Sequence, residues 1–440
     1  MSADSMEKSK SGRPEPVVSG AEDRPQTVRR DLSGLRRRSF GIALFVLAAI
    51  IFLLFALGTA PSDKTVFSLS AGPAIRLPLI HLPVLATELV LGIVCAALGV
   101  VQILWRSNRR IYLFLGIGLA VTGVAFLAWA GKGESVDVEG LLITSLIEAV
   151  PLTLGALSGL LCERSGVINI AIEGQFLVSA FVGAVVGSAS GNLWAGLLCG
   201  ALAGGLIGVV LAVFTITYAA DQIIVGVVLD AFALGLTSFF LQSLLVPNQA
   251  TLNSPAVFGP IPIPFLNRIP IVGPLLFNQN IFVYLTVVIL VAVQIGLFRT
   301  RWGLRVRAVG EHPRAADTVG INVSRVRYRN VILGGIVAGI GGASFTIGST
   351  GQFAPNMTSG LGYIALAAMI FGRWRPFGAL GAALLFGFTD ALQFTLSVLN
   401  VPIPSSFLTM FPYLATILAV AGLVGRVIPP AADGQHYARE

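Results

Sequence analysis

The sequence predicts an all-α, polytopic integral membrane protein with about 10–12 transmembrane helices. Of its 440 residues, 55% are hydrophobic and 11% are charged, whereas soluble domains average roughly 45–50% apolar and about 25% charged residues. The mean hydropathy is +0.85. Long stretches such as Leu177–Ala220 contain no Asp, Glu, Lys or Arg, and a helix needs about 20 apolar residues to cross a bilayer. Water-soluble fold classes are therefore excluded.

The chain starts with a polar segment, residues 1–38, which we expect to be a disordered cytoplasmic tail. The segment is rich in Ser, Pro and charged residues, has no hydrophobic period, and ends in a cluster of three arginines. The apolar run that follows, Phe40–Ala60, is too long and begins too late for a cleaved secretory signal. It is therefore predicted to be the first, uncleaved span.

Apolar runs along the rest of the chain are the candidates for further spans. Two of them are doubtful, because Leu361–Phe371 is short and Ile170–Ser190 holds Glu173 and Gly174 near its start. We treat both as candidates for broken or re-entrant helices. The twelve runs are Phe40–Ala60, Leu82–Leu104, Ile111–Ala130, Leu141–Leu161, Ile170–Ser190, Leu193–Tyr218, Gln222–Val246, Ile281–Phe298, Val331–Gly348, Leu361–Phe371, Phe377–Leu399 and Leu408–Val424.

Basic residues predict the orientation of these spans. Segment 299–330 carries the largest block of arginines and is predicted to be cytoplasmic, as is the N-terminus. The orienting role of these basic residues also accounts for the net charge of +8. We therefore expect no nucleic-acid partner. The chain is then divided into the tail (1–38), an N-terminal extension of about three spans (39–135), a main transmembrane domain (136–426) and a C-terminal tail (427–440).

The chain shows no site for ATP hydrolysis or for a metal. A phosphate-binding loop needs a lysine that follows a glycine and precedes Ser or Thr. Among the four lysines only Lys132 follows a glycine, and Gly133 comes next. The three cysteines and three histidines are far apart in sequence, with no metal-ligand spacing. We therefore expect no enzyme activity, no cofactor and no metal.

Carboxylates inside the predicted spans are costly in a bilayer and tend to be functional. Glu88 and Glu148 lie near span ends, where a carboxylate can reach the interface or cap a helix. Other polar groups are candidates either for a substrate pathway or for bonds that tie helices together. With no Lys, Arg or His in the spans, a proton relay lacks partners. The pathway candidates are Asn169, Glu173, Gln175, Asp230 and Asp390.

Glycines predict where helices approach each other closely. They recur every four residues from Gly196 to Gly208 and therefore share one helix face. A second group lies between Gly334 and Gly342. Such faces are typical of ordinary helix packing, with a moving gate as the alternative.

The cytoplasmic segment 299–330 contains the most informative sequence, RAVGEHPRAADTVGINV at 307–323. Pro313 suits the first turn of a helix, Arg314–Thr318 would continue it, and Gly320 would end it. A short helix on this face is a surface that a partner protein can push on. The alternative is a basic loop that is merely solvated.

That segment resembles the coupling loop of ATP-binding-cassette (ABC) importer permeases, whose loose signature is EAA, three residues and then G. Ala315, Ala316 and Gly320 keep the spacing, and Arg314 stands in place of the Glu. Three further stretches strengthen the resemblance: ERSGVINIAIEG at 163–174, DQIIVGVVLD at 221–230 and GYIALAAMIFGRWRPFG at 362–378.

Over residues 141–426 the chain is thereby identified as a member of the branched-chain amino acid, simple sugar and nucleoside permease family, of the nucleoside (basic membrane lipoprotein-linked) type. It departs from the family's pattern at Ala171, where a glycine is usual, and at Asp230, where relatives tend to have Asn.

The resemblance implies a permease subunit in a bacterial plasma membrane that takes up nucleosides or simple sugars. Implied partners are a cytoplasmic ABC ATPase, a second permease subunit in a heterodimer, an external substrate-binding lipoprotein and membrane lipid. The alternatives are an ion-coupled secondary transporter acting alone and a receptor or scaffold. The residues implied in ATPase coupling are Glu311, Pro313, Arg314, Ala315, Ala316 and Gly320.

Overall fold

The computed structural model describes residues 26–69, 78–104, 111–399, 401, 407, 410 and 428–437. Within these residues, ten helices are long and apolar enough to cross a membrane, so the chain is an all-α, multi-pass membrane protein as its composition predicts. The predicted span Leu408–Val424 lies outside the described residues. The chain forms two compact units, Met1–Asp63 with Pro83–Trp129, and Lys64–Leu82 with Ala130–Glu440.

The first unit is built from α1 (Gln26–Ile50), which continues as a π-helical turn over Ile51–Ala56, α2 (Val84–Leu104) and α3 (Ile111–Ala130). Helix α1 begins inside the segment predicted as a disordered tail, because the arginine-rich residues before the first span continue its helical hydrogen bonding. Helices α1 and α2 pack closely: the Cys95 thiol donates to the Leu44 carbonyl over 3.4 Å.

The second unit holds the remaining helices and a few short strands. Strand β1 pairs in parallel with β3, with Val66 opposite Ser135, in a three-stranded sheet of order β2–β1–β3. Strands β4 and β5 form an antiparallel pair. The strands are β1 (Lys64–Ser68), β2 (Ile80–Pro83), β3 (Ser135–Asp137), β4 (Ile261–Pro262) and β5 (Asn278–Gln279).

The long helices of the second unit surround α4, which supplies much of the largest apolar core. Helices α6, α7 and α13 end in π-helical turns. The helices are α4 (Val138–Glu163), α5 (Ile172–Ser190), α6 (Leu193–Ala212, then Val213–Thr217), α7 (Gln222–Phe240, then Leu241–Leu245), α8 (Gln249–Leu252), α9 (Val272–Phe277), α10 (Ile281–Arg299), α11 (Arg301–Glu311), α12 (Pro313–Thr318), α13 (Val323–Phe345, then Thr346–Thr350), α14 (Leu361–Phe371) and α15 (Pro376–Val398).

Helices α6 and α13 meet through the two glycine groups that the sequence singled out. A Cβ added to Gly204 would lie 2.5 Å from the carbonyl oxygen of Gly335, and one added to Gly339 would lie 2.8 Å from that of Gly200. No side chain larger than hydrogen fits at such distances. The predicted close packing is confirmed, with the two backbones in direct contact.

One predicted element differs from the structure, and one doubtful span is as short as expected. Segment 299–330 is almost wholly helical, because α11 precedes the predicted short helix and α13 begins at Val323 rather than at Val331. A hydropathy scan misses α11 and the first turns of α13 because these residues include several arginines. Helix α14 has only eleven residues and is not among the helices long enough to span a membrane.

Candidate functional site

Two helices, α5 and α14, begin inside the bundle, at the point where Glu173 lies. The Glu173 carboxylate accepts the Thr358 hydroxyl at 2.5 Å and the backbone N–H groups of Gly360 at 2.8 Å and Gly362 at 2.7 Å. The first N–H groups of a helix have no partner within the helix, and a negative charge at this end is favourable. Glu173 therefore fixes the start of α14.

Asp230 on α7 does the same for the start of α5. Its carboxylate accepts the Gly174 N–H over 2.7 Å and the Tyr363 hydroxyl over 2.8 Å. Gly174 lies in the first turn of α5, and Tyr363 lies in the first turn of α14. The two carboxylates thus link α5, α7 and α14 at one point.

The other pathway candidates do not bond to Glu173 or Asp230, although Gln175 shares the first turn of α5 with Glu173. Asn169 is fully buried just before α5 and donates to the Ser158 hydroxyl and to the Gln175 side-chain oxygen, each over 3.2 Å. Asp390 is half-buried on α15, and its electrostatic neighbour is Glu148 on α4. Asn169 is therefore hydrogen-bonded to Gln175. Glu173 and Asp230 are connected through the first turn of α5, and Asp390 is not part of either group.

A cavity of about 380 Å³ lies between α4, α13 and the segment that leads into α14. Small-molecule sites commonly measure roughly 300–1,000 Å³. None of the five pathway candidates lines this cavity. Its wall combines aromatic rings with polar groups, namely Phe282, Phe345, Phe394, Glu148, Asn280, Ser344, Ser349, Thr350 and Gln352.

The hydroxyl groups of this wall are arranged as acceptors. Ser349 and Thr350 each donate to the Phe345 carbonyl over 2.8 Å, so the lone pairs of their oxygens remain for a ligand. Glu148 adds a carboxylate, while the phenylalanines add apolar wall. The cavity is suited to an uncharged ligand that has hydroxyl donors and a planar ring.

The sequence predicts Glu148 near a span end, whereas it lies well inside α4, and no role is predicted from the sequence for the cavity's serines and threonines. The sequence TIGST at 346–350 was the available signal, because it places small hydroxyl residues at the end of an apolar helix. Among the described residues, no group of three His, Cys, Asp or Glu side chains is arranged to hold a metal ion.

The predicted short helix is present as α12, with Pro313 at its first position. Arg314 and Ala315 are exposed, whereas Ala316 is 3% exposed and packs with Val309 and Val323. Gly320 follows in the left-handed conformation, with φ +84. One face of α12 is therefore exposed to solvent, and the opposite face packs against α11 and α13.

Helix α11 holds α12 against the bundle. A Cβ on Gly310 would lie 2.3 Å from the Arg164 carbonyl oxygen, so this end of α11 contacts the connection between α4 and α5. Burial lowers the pKa of the Arg164 guanidinium, partly offset by the charge of Glu311. Glu311 itself accepts the N–H of Ala431 over 3.2 Å and so contacts the C-terminal segment.

Comparison with known proteins agrees with this architecture. The family model "Branched-chain amino acid transport system / permease component" matches residues 141–425. The chain is 40% identical to the guanosine ABC transporter permease protein NupQ of Bacillus subtilis over 67% of this chain and 94% of the relative. It is 38% identical to the nucleoside ABC transporter permease protein NupC of Lactococcus lactis, over 66% and 94%.

A third relative is the putative glucose ABC transporter permease protein TsgC13 of Haloferax volcanii, 35% identical over 68% of this chain and 98% of the relative. Identity falls to 25% with a second guanosine permease of Bacillus subtilis, NupP, over 74% of this chain and 88% of that relative. No solved structure shows significant similarity to the chain.

Proposed function

Since the chain belongs to the family of permease components of branched-chain amino acid transport systems, we propose that it is the membrane-spanning subunit of an ABC importer in a bacterial plasma membrane. It takes up nucleosides or simple sugars, and the energy comes from ATP hydrolysis on a separate subunit. The relatives named as nucleoside and glucose permeases support both substrate classes.

The main support for this substrate class is the cavity that Glu148 lines. Its acceptor oxygens suit the hydroxyl groups that sugars and nucleosides share. Its phenylalanine rings suit the planar base of a nucleoside, because aromatic rings stack face to face with an offset or edge to face. A nucleoside uses both parts of the wall, whereas a simple sugar uses only the polar part.

The exposed face of α12 is the proposed docking surface for the ATPase, and it lies on the cytoplasmic side because of the arginines around it. Arg314 and Ala315 lie on this face. Closure of the ATPase on ATP would push α12, and the helices would alternate between outward and inward openings.

The proposed assembly has further members. A second permease of different sequence completes the membrane part, since Bacillus subtilis has two guanosine permeases that the chain matches unequally. An external lipoprotein delivers the substrate. The N-terminus lies in the cytoplasm. Membrane lipid surrounds the exposed apolar side chains.

Uptake measured with the partner subunits present tests the substrate class. Radiolabelled nucleoside uptake should require ATP and should be reduced by other nucleosides more strongly than by simple sugars or amino acids. Competition by amino acids alone would contradict the substrate class. Uptake by the isolated chain in vesicles, driven by a proton or sodium gradient without ATP, would contradict the ABC importer itself.

ATPase docking is tested with a charged side chain on the exposed face of α12. Ala315→Glu should abolish uptake and ATPase co-purification while the protein stays in the membrane. Ala250→Glu is the matched control, because Ala250 is also an exposed alanine in a short helix but lies far from α12 in the chain. Normal uptake by Ala315→Glu would contradict the docking surface.

A further inference from the structure

The C-terminal segment, residues 428–437, folds back onto the end of α11. The Ala432 N–H donates to the Gly310 carbonyl over 2.9 Å, and the Ala431 N–H donates to the Glu311 carboxylate. Gly310 and Glu311 are the last residues of α11, immediately before His312 and α12. Ala432 is 2% exposed. The segment is therefore packed against the element that carries the proposed coupling helix.

The same segment contacts the connection between α4 and α5. The buried Arg327 guanidinium donates to the Gln435 carbonyl over 2.8 Å and to the Ser165 carbonyl over 3.2 Å. A Cβ on Gly434 would lie 2.9 Å from the Ile168 side chain. Residues 428–437 thus touch α11 on one side and residues 165–168 on the other.

Tyr437 extends this contact to α12. Its side chain packs beside the small apolar cluster of Val309, Ala316 and Val323, which holds the buried face of α12. A displacement of α12 would therefore change the surroundings of Tyr437 directly.

A buried polar contact holds the middle of the segment. Asp433 and Glu163, at the end of α4, share a hydrogen bond in which one of the two carboxyl groups carries the proton. Burial raises the pKa of Asp433 to about 6, although this hydrogen bond and the charge of Arg327 lower it. The contact joins the middle of the segment to the end of α4, in addition to the backbone hydrogen bonds at Ala431 and Ala432. This segment is therefore held in a defined position.

The connection that the segment touches leads to the centre of the bundle. The Ile168 N–H donates to the Gln222 side chain over 2.7 Å, and four residues later α5 begins at Ile172. The first turn of α5 carries Glu173, which fixes the start of α14. A shift of residues 165–168 would therefore act on the junction of α5, α7 and α14.

We propose that residues 428–437 transmit the displacement of α12 to the connection between α4 and α5, remaining attached to both. The segment is a positioning element for transport. This inference rests on the proposed docking of an ATPase on α12. Without the segment, the ATPase still binds and hydrolyses ATP, but less of its movement reaches the bundle.

The test is Gly434→Val in the complete transporter, reconstituted in vesicles, with uptake and ATP hydrolysis measured on the same sample. Gly434 has φ +72 and lies against Ile168, so a branched side chain should detach the segment there. We expect the amount of nucleoside transported per ATP to fall about tenfold, which lies within the range for changes in coupling of about 0.5–2 kcal/mol, with ATP hydrolysis retained.

Gly191→Val is the matched control. Gly191 also has a positive φ, +62, but a Cβ added there meets nothing within 4 Å. The control therefore introduces similar backbone strain at the α5–α6 turn without touching the C-terminal segment. We expect its ratio of transport to ATP hydrolysis to equal that of the wild type.

A second variant covers the case in which Gly434→Val does not fold. Tyr437→Ala removes the contact with the α12 cluster close to the chain end and should lower the same ratio by about threefold. An unchanged ratio in folded Tyr437→Ala would overturn the inference. Absence of ATP-dependent uptake in the wild type would instead overturn the proposed function, so the two failures are distinguishable.

Discussion

Carboxylates lie in two contrasting settings within the second unit. At the junction of α5, α7 and α14, Glu173 and Asp230 accept five hydrogen bonds from backbone and hydroxyl donors. At the cavity, Glu148 on α4 lines a space of about 380 Å³ with Asp390 as its electrostatic neighbour. All four residues belong to apolar helices, and the sequence predicts a span-end position for Glu148 but a pathway or helix-tying role for the other three.

The difference shows that a carboxylate in an apolar helix has two distinct uses. Where a helix starts inside the bundle, its first N–H groups need acceptors, and a carboxylate supplies them with a favourable charge. Where a cavity is open, a carboxylate can bind a ligand instead. The first use should appear in measurements of stability, and the second in measurements of transport.

Replacing Glu173 should have the largest effect. In Glu173→Gln an amide NH₂ takes the place of one acceptor oxygen, so at least one donor at the start of α14 loses its partner, at a cost of about 1–3 kcal/mol for each. We expect a lower yield of folded protein and a lower melting temperature in detergent. A wild-type melting temperature would contradict a structural role for Glu173.

Gly362→Ala should destabilise the same junction by a steric clash instead of by the loss of an acceptor. The added Cβ would lie 2.5 Å from the backbone nitrogen of Glu173, which cannot move without shifting α5, so we expect a loss of about 1–3 kcal/mol. Gly381→Ala is the control, since its Cβ would meet nothing within 4 Å. Equal melting temperatures of the two variants would show that the close approach is not needed.

Glu148→Gln should alter transport and leave stability unchanged. Loss of a hydrogen bond to a charged group costs about 1.5–3 kcal/mol, so the KM for nucleoside uptake should rise at least about tenfold. Asp390→Asn is the matched control, because Asp390 lies on the adjacent helix outside the cavity wall. A larger change in KM for the control would favour Asp390 as the pathway residue.

Asp230→Asn should have the smallest effect. The amide oxygen can still accept the Gly174 N–H, and the amide NH₂ can donate to the Tyr363 oxygen, which both donates and accepts. We expect the melting temperature and uptake to change by the equivalent of less than about 1 kcal/mol. A severe loss of folded protein would mean that the negative charge itself holds the two helix starts together.

The sequence predicts those features that depend on local composition and spacing. The membrane class, the glycine faces of α6 and α13 and the helix at Pro313 follow from residues that are close together in the chain. The partners of Glu173 do not, because Thr358 is 185 residues away and Gly362 is 189 residues away. No periodicity in either stretch relates them.

The cavity could not be predicted for a related reason. Glu148, Phe345 and Gln352 come from separate elements whose neighbours are set by packing across the bundle. The span-end position predicted for Glu148 is wrong, because α4 (Val138–Glu163) begins before the apolar run and leaves Glu148 in the helix interior. The sequence predicts the starts of α1 and α13 too late. Their first turns carry arginines, and low hydropathy there is read as a loop.

The shortness of α14 has a consequence for how the protein is made. Eleven residues rise about 16 Å, roughly half of the hydrocarbon thickness, so α14 is too short to partition into lipid from the insertion machinery as an independent segment. Its N-terminal N–H groups find their acceptor in Glu173, a residue synthesised long before Leu361 emerges from the ribosome. Helix α14 must therefore enter the membrane by joining helices already inserted, with protein rather than lipid as its solvent.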